Sequence, residues 1–331
     1  MKLFDDDWGV DNSAIDNTEI TTTILYFSKE ELKEFKNLCK LGIKKHYVEQ
    51  AQQKGNQADK FKGKFLNEND FDTLITEDCD GFDMYGNLLF RYRKNALPTE
   101  TLLLGYNSFK ESIELTEGRG IASGSSHKRI RKDGSVSNIT VGNKVYSGSV
   151  GYMDAGAMVH YCRKTAFARK YFDEFTAGIP FVEYIDKKYK ELCPEHYAKQ
   201  KAIADGTNRN YVIGNTSFTT VTVNKNFRTA VHKDRGDFPE GFGNLITYRQ
   251  GNYDGGYFCL PEYKVAIDMQ NNDLLFVDVH KWHGNTEITN KTDDWLRISF
   301  VLYYREYMYK CNQPSKELQN IKQNKTGYLK L

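Results

Sequence analysis

The sequence predicts an α+β protein whose core is a double-stranded β-helix, or jelly roll, buttressed by helices. Two observations lead to this fold class. Residues 163–205 have the apolar spacing of helices, whereas the chain after Gly206 consists of short apolar runs separated by turns rich in Gly and Asn. Closely spaced short strands are typical of barrels and jelly rolls. The helices therefore form either a separate unit or a layer that supports one sheet, and we expect the second arrangement.

The first part of the chain, residues 1–115, is expected to be a helical or irregular region packed on the core. A capping box that begins at Ser28 predicts an amphipathic helix over about 28–52. The polar stretch 52–70 is predicted to be a loop. The apolar stretch 99–115 fits a strand or a helix equally well.

The core domain is expected to cover residues 116–310. Its Gly-rich beginning predicts short strands at Val136–Val141 and Lys144–Tyr146. Proline opens two of the helices that follow, at positions 180 and 194. The strands predicted after Gly206 are Phe218–Val223, Leu245–Tyr248, Tyr257–Leu260, Val265–Ile267, Leu274–Val277 and Leu296–Tyr304. Residues 311–331 are predicted to be a Lys-rich, solvated tail.

The composition indicates a soluble globular chain. It has 331 residues with a formal net charge of +2, which is too small for a protein that coats nucleic acid by charge alone. No apolar run reaches the roughly 20 residues of a membrane-spanning helix. The polar stretch 1–17 does not resemble a secretory signal. We therefore expect no membrane and no obligate protein partner, and an intracellular location: nuclear in a eukaryote or its virus, otherwise cytoplasmic.

The cysteines point away from a thiolate metal site. Six are present, and no two have the spacing of a zinc site or a CxxC pair. We predict that they are reduced and mostly buried. A metal ion would then have to be bound by histidine and carboxylate.

One group of residues fits that requirement. His232 and Asp234 form an HxD triplet, and His283 follows 51 residues after His232. On a strand, the period of two would place His232 and Asp234 on one face. Two imidazoles and one carboxylate form the facial triad that holds Fe(II) and leaves coordination positions open. His280 is the alternative distal ligand. A surface ion pair of His232 with Asp234, with His283 merely capping a strand, is the structural alternative.

A charged residue interrupts the last predicted strand. Arg297 lies between apolar neighbours, and Ser299 shares its face. A buried charge needs a partner, and a guanidinium beside a hydroxyl suits the carboxylate of a ligand. The alternative is a buried ion pair with Asp268 or Asp278.

These motifs resemble the 2-oxoglutarate/Fe(II) dioxygenases. The sequence Arg297-Ile-Ser-Phe-Val-Leu-Tyr-Tyr304 is similar to the last core strand of the TET/J-binding-protein branch, which oxidises the 5-methyl group of pyrimidines in nucleic acid. Further similar phrases are Phe218–Asn224, Arg228–His232, Gly241–Gly243, Gly255–Tyr263 and Asp278–Asn285. The resemblance extends from about residue 150 to residue 310.

The resemblance implies the cofactors and their ligands. The His232, Asp234 and His283 triad would hold Fe(II), and the distal carboxylate of 2-oxoglutarate would bind Arg297 and Ser299. Asn224 is a further candidate contact to 2-oxoglutarate. Molecular oxygen would be the co-substrate, and ascorbate is an alternative to 2-oxoglutarate.

The resemblance also implies a flipped-out base as substrate, either thymine or 5-methylcytosine, in DNA or possibly RNA. Asp237 would accept a hydrogen bond from the base. Arg305 stands where TET-like enzymes carry a histidine near the base, which brings thymine into contention. Arg163 belongs to a similar phrase and is predicted to face the site. Trp282, Tyr303 and Phe238 are candidate stacking residues that fit the core better.

Contacts to the nucleic-acid backbone are predicted in one basic cluster, which equally fits a solvated hairpin tip. The cluster consists of Lys128, Arg129, Arg131 and Lys132. The leading hypothesis is therefore a dioxygenase of 5-methylpyrimidines in DNA. The rivals are a 2-oxoglutarate dioxygenase that hydroxylates a protein or small molecule, and a non-catalytic nucleic-acid-binding module. The intact set of ligand residues argues against the last.

Overall fold

The computed structural model describes residues 44–47, 60–83, 86–156 and 159–328. The strands in this part of the chain are β1 (Lys44–Tyr47), β2 (Thr73–Ile75), β3 (Cys79–Phe82), β4 (Leu88–Arg93), β5 (Glu114–Thr116), β6 (His127–Ile130), β7 (Val136–Val141), β8 (Val145–Met153), β9 (Arg163–Lys164), β10 (Thr220–Lys225), β11 (Gly243–Gln250), β12 (Tyr253–Gly255), β13 (Phe258–Leu260), β14 (Val265–Ile267), β15 (Leu274–Val277), β16 (Gly284–Asn285), β17 (Ile288–Asn290) and β18 (Leu296–Tyr303). The helices are α1 (Thr99–Phe109), α2 (Ala166–Lys170), α3 (Phe172–Ala177), α4 (Ile179–Leu192), α5 (Pro194–Gly206) and α6 (Pro314–Tyr328).

Two sheets form the core of the fold. The larger has the order β1-β3-β4-β15-β11-β18-β10-β8-β5, with β9 paired to β8, and the smaller has the order β16-β13-β14-β2. Strands β12 and β17 form a separate pair, as do β6 and β7. An apolar layer that includes Phe258, Val265 and Ile267 of the smaller sheet and Leu275 and Val277 of the larger one joins the two sheets. This arrangement confirms the predicted jelly roll.

The helices cover the other face of the larger sheet. Helix α4 buries Phe181, Ile185 and Tyr189 completely, and the rings of Phe181 and Tyr189 pack on Phe300 of β18 and Phe276 of β15. Each such side chain contributes roughly 1.5–3 kcal/mol through burial. The helices therefore support the sheet, as expected. No helix in the described ranges is long and apolar enough to cross a membrane.

The structure differs from the expected helical or irregular character of residues 1–115. The predicted helix over 28–52 is wrong at β1, which pairs parallel with β3; its other residues lie outside the described ranges. Strands β2 and β4 extend the smaller and the larger sheet. The stretch 99–115 resolves into helix α1, a short turn and the start of β5.

The predictions for the cysteines and for the C-terminal tail also need correction. Cys162 and Cys311 form a disulfide, although 149 residues separate them in sequence. Cys79, Cys193 and Cys259 are buried, as predicted, and Cys39 lies outside the described ranges. The predicted tail contains helix α6, whose buried Glu317 accepts hydrogen bonds from the backbone N–H of Cys162 and of Asn312 (both 2.9 Å). Close approach of two distant segments brings the thiols together, and spacing along the chain gives no sign of it.

Candidate active site

His232, Asp234 and His283 meet at one point inside the jelly roll. One potential ligand atom from each residue lies within 4.8 Å of the others. The Nε2 atoms of His232 and His283 are 3.5 and 3.6 Å from the two carboxylate oxygens of Asp234. Two imidazoles and one carboxylate at such distances fit a single divalent transition-metal ion and leave one side of it open.

Backbone hydrogen bonds place these three residues, in a way that differs from the predicted strand. His232 and His283 form an isolated β-bridge, with N–H to carbonyl distances of 2.9 and 3.0 Å. Asp234 lies in the irregular segment that follows, where its N–H donates to the carbonyl of Val279. Thus a bridge and one further backbone hydrogen bond, rather than the period of a strand, bring the Asp234 carboxylate beside His232.

The rings of both histidines are oriented by their second nitrogen. Nδ1 of His232 lies 2.8 Å from the carbonyl of Ala230, and Nδ1 of His283 lies 2.9 Å from the carbonyl of Lys281. A carbonyl can only accept, so each Nδ1 carries the proton and each Nε2 is free to bind a metal. Burial alone would raise the pKa of Asp234, but positive charge at Nε2 of the two imidazoles, which a bound metal ion would replace, lowers it.

His280 does not take part in this cluster. Its Nδ1 contacts the carboxylate of Asp278 at 3.2 Å, and its Nε2 lies 3.3 Å from the backbone carbonyl of Asp237. The structure therefore brings His283, and not His280, to His232 and Asp234.

Arg297 is a buried cation without a carboxylate partner. Its side chain is buried, and no hydrogen-bond acceptor or ion-pair partner for the guanidinium is found among the described residues. The alternative partner Asp268 instead contacts Arg249 at 3.3 Å. Gly256 makes room for the guanidinium, because a Cβ there would lie 3.2 Å from Nε of Arg297. Burial lowers the pKa of Arg297. The arrangement suits an anionic ligand that enters the cavity.

Ser299 is held beside Arg297 by a polar chain. Asn224 donates from Nδ2 to Oγ of Ser299 (3.3 Å) and accepts from Oγ of Ser147 (2.5 Å). Because Oγ of Ser299 accepts from Asn224, its own proton is available to a ligand. Asn224 also lines the cavity.

Arg119 is a site residue that the sequence analysis missed. Its Nε donates to Ser147 Oγ (2.6 Å) and its Nη2 donates to the carbonyl of Gly148 (2.9 Å), which joins it to the polar chain. Burial lowers the pKa of its guanidinium. An arginine between Gly118 and Gly120 was the only sign of it in the sequence.

The opposite side of the cavity carries Asp237 and Arg305. They form an isolated β-bridge, and Nε of Arg305 donates to Oδ1 of Asp154 at 2.7 Å. Burial and the nearby charge of Asp234 raise the pKa of Asp237 well above its usual value. Arg163 donates to the carbonyls of Asp154 and Tyr161 and lines a neighbouring cavity rather than this one. Asp154 was not singled out from the sequence.

The candidate aromatic residues separate clearly. Trp282 is buried among apolar side chains, and Phe238 packs edge-on against Tyr304. Neither lines the cavity, whereas Tyr303 does. The cavity has a volume of about 330 Å³, and the triad, Arg297, Ser299, Asp237 and Arg305 all line it. One pocket thus brings together the three candidate metal ligands, a buried arginine with a neighbouring hydroxyl, and the charged pair Asp237 and Arg305.

The predicted basic cluster lies on the β6–β7 hairpin, away from both cavities. Its strands are largely exposed, and part of its charge is engaged: Arg129 pairs with Glu117 at 2.9 Å, and Lys128 donates to the carbonyl of Asn138. Arg131 contacts Ser135, and Lys132 is exposed. The role of this cluster stays a prediction.

Comparison with known proteins agrees with the resemblance seen in the sequence. Residues 150–306 match the Tet/JBP family model, described as the oxygenase domain of the 2OGFeDO superfamily. The bifunctional helicase and thymine dioxygenase JBP2 of Trypanosoma brucei brucei is 38% identical over 173 residues, which is 49% of this chain and 16% of that protein. Thymine dioxygenase JBP1 of Trypanosoma brucei brucei is 39% identical over 163 residues, or 48% of this chain and 19% of that protein. The chain therefore spans less than a fifth of the length of each of these two relatives.

A solved structure supports the fold. NgTET1 in complex with 5mC DNA has a TM-score of 0.57 and 15% sequence identity, and the match covers 90% of this chain and 100% of that one. The predicted resemblance is confirmed, and with it the class of the matched domain, a 2-oxoglutarate-dependent dioxygenase domain. Fe(II) and 2-oxoglutarate are the cofactors of that superfamily, and the triad has the donor set that such an iron site needs.

Proposed function

We propose that this chain, whose residues 150–306 resemble the oxygenase domain of the Tet and J-binding proteins, oxidises the 5-methyl group of thymine in DNA. The observation that carries the proposal is one cavity in which the His232–Asp234–His283 cluster lies with a buried arginine, Arg297, that has no ion-pair partner among the described residues. In this reaction, thymine, O2 and 2-oxoglutarate become 5-hydroxymethyluracil, succinate and CO2.

The three clustered residues of the cavity would bind the metal ion. His232, Asp234 and His283 would hold Fe(II), because their free ligand atoms converge. When bound, Fe(II) and 2-oxoglutarate supply the oxidising power that converts a C–H bond to C–OH with O2. The protein contributes orientation: the backbone carbonyls of Ala230 and Lys281 hold both rings in the tautomer that binds metal.

The anion site explains why a cation is buried here. Arg297 would bind the distal carboxylate of 2-oxoglutarate with two parallel hydrogen bonds, and Ser299 would add a third. Without such a ligand the burial of an unpaired guanidinium is costly. The 2-oxoglutarate would thus neutralise Arg297 when it binds.

The polar wall suits a pyrimidine. Asp237 can accept from N3–H of thymine while Arg305 donates to O4 or O2. The Asp154 carboxylate accepts from Nε of Arg305 and so orients the guanidinium, which lines the cavity. Two of the matched relatives are named thymine dioxygenases, which supports thymine rather than 5-methylcytosine as the base. A base reaches this depth only when it is flipped out of the helix.

The test is incubation with Fe(II), 2-oxoglutarate and O2 and with oligonucleotides that contain either thymine or 5-methylcytosine as the only 5-methylpyrimidine. Nucleoside mass spectrometry should find 5-hydroxymethyluracil from the first. His283→Ala should abolish the product, whereas His160→Ala, at an exposed histidine, should retain it. Oxidation of 5-methylcytosine alone would refute the base assignment. Succinate formed on a protein or small molecule, with no oxidised pyrimidine in DNA or RNA, would refute the whole proposal.

A further inference from the structure

We propose that a basic groove beside the catalytic cavity binds the backbone of the DNA strand that carries the target base, and that Phe172 stacks on the neighbouring base. The basic groove is defined by Arg163, Lys164, Arg169, Lys170, Tyr171 and Phe172. This inference rests on the proposed function and adds a surface to it: the path of the strand outside the catalytic cavity.

The groove leads directly to the site. A second cavity of about 560 Å³ is lined by its basic residues and by Tyr171, and Phe172 is the next residue along the chain. This cavity shares Gly118, Arg119, Tyr303 and Arg305 with the catalytic cavity. The two cavities therefore adjoin at these four residues, and a strand bound along the second would pass beside the catalytic cavity. An isolated metabolite needs only the first cavity, whereas a polymer needs both.

Local structure turns the basic side chains outward. Strand β9 pairs with Tyr152 and Met153 of β8, which fixes Arg163 and Lys164 on the edge of the larger sheet. Thr165 then caps helix α2 by accepting from the N–H of Ala168. Because Phe167 and Ala168 are buried, Arg169 and Lys170 at the end of the helix remain exposed.

Charge is concentrated on this surface. The second cavity is lined by six cations and by the two carboxylates of Glu111 and Glu114, and Asp154 pairs with Arg305. The cations are Arg119, Arg163, Lys164, Arg169, Lys170 and Arg305. Among the described residues, Lys164 and Arg169 have no ion-pair partner. A chain with a net charge of only +2 thus places a strongly positive surface at the mouth of its site, which suits phosphate groups.

Two aromatic rings lie beside these cations. Phe172 is 52% exposed, and Nζ of Lys164 lies 4.6 Å from its ring centroid. Tyr171 is stacked on Phe167, and Nζ of Lys170 lies 4.8 Å from the Tyr171 ring. Cations beside exposed rings are the arrangement by which proteins bind unpaired strands, with phosphates on the cations and bases on the rings. Flipping one base disrupts stacking on its neighbours, so a ring at the mouth of the site has a base to meet.

The experiment measures binding without turnover, so that it stands apart from the proposed reaction. Fluorescence anisotropy of a labelled 12-nucleotide single strand is recorded with the full chain over a range of salt concentrations. The groove variant is Lys164→Ala/Arg169→Ala/Lys170→Ala. The matched control is Lys187→Ala/Lys190→Ala/Lys199→Ala, which removes the same charge from exposed lysines of α4 and α5 that line neither cavity. Circular dichroism checks that each variant is folded.

The expected result is specific to the groove. The slope of log affinity against log salt should fall by about 2 in the groove variant, since each contact to a single-stranded phosphate contributes about 0.7, and should not change in the control. Phe172→Ala should weaken binding about 5- to 150-fold with an unchanged slope, since stacking is worth about 1–3 kcal/mol per base. Phe172→Trp should bind like the original chain.

Three outcomes would overturn the proposal. These are an unchanged slope in the groove variant, an equal fall in the control, or full affinity in Phe172→Ala. If the chain oxidises thymine but the groove variant binds normally, the reaction stands and the groove assignment is wrong. If the chain oxidises no base but the groove binds DNA as described, the groove assignment stands and the proposed reaction is wrong.

Discussion

Replacement of Arg297 by leucine should separate stability from co-substrate binding. Arg297 is 4% exposed, and its guanidinium has no hydrogen-bond acceptor or ion-pair partner in the described part of the chain, so burial of its charge opposes folding unless a ligand neutralises it. Exchange of buried charges for apolar side chains of similar volume is neutral or stabilising by about 1–4 kcal/mol. We therefore expect Arg297→Leu to melt at a temperature equal to, or about 2–4 °C above, that of the original chain.

The same change should strongly weaken binding of 2-oxoglutarate. A hydrogen bond to a charged group contributes about 1.5–3 kcal/mol. Loss of a bidentate pair then corresponds to a decrease in affinity of at least about 100-fold. Arg297→Lys keeps the charge but not the planar guanidinium. Its affinity for 2-oxoglutarate should therefore lie between those of the original chain and of Arg297→Leu.

Two measurements check this prediction: differential scanning calorimetry of the metal-free protein, and calorimetric titration of 2-oxoglutarate into the protein loaded with a redox-inert divalent metal. A clearly lower melting temperature would mean that Arg297 has a structural partner. An unchanged affinity would mean that the distal carboxylate is held elsewhere. Either result would refute the reasoning from its burial.

Three further predictions concern other parts of the molecule. Asp234→Ala should weaken metal binding more than about 100-fold while the fold is retained, as measured by metal titration and circular dichroism; undiminished binding would remove the triad assignment. Asp154→Ala should reduce kcat/KM for the base about 10- to 100-fold, because Arg305 loses a charged hydrogen bond, while the affinity for 2-oxoglutarate remains; equal losses in both would indicate a general disturbance. Cys162→Ser/Cys311→Ser should lower the free energy of unfolding by about 3–5 kcal/mol in denaturant titration, and a reducing agent should then affect the original chain but not the variant.

The sequence predicted the parts of the site whose identity is local. The HxD triplet, His283 and the Arg297–Ser299 pair are readable because each is a short motif, and the jelly roll is readable because its strands are short apolar runs. Arg119 could not be found in this way. It lies 113 residues before His232, and it reaches the site through Ser147 and Gly148, whose position depends on the pairing of β8 with β10.

The missed features share a physical origin in long-range geometry. Asp154 becomes important only because the end of β18 brings Arg305 to it, and Cys162 meets Cys311 for the same reason. The strands β1–β4 are short, and residues 60–93 contain many polar and charged side chains. The sequence there has no sustained alternation of apolar and polar residues from which strands could be predicted. Hydrogen bonds of β2 with β14 and of β4 with β15 stabilise these strands where local preference does not.

The strands that precede the matched domain have a consequence for how that domain can be used. Strands β14 and β15 are fully buried, and β2 and β4 occupy their outer hydrogen-bonding edges. A fragment that starts at residue 116 would keep every proposed metal and co-substrate ligand but would expose two apolar edge strands. Such edges pair readily with other molecules and lead to aggregation. Residues 60–93 therefore act as an intramolecular cover for the edges of these two strands.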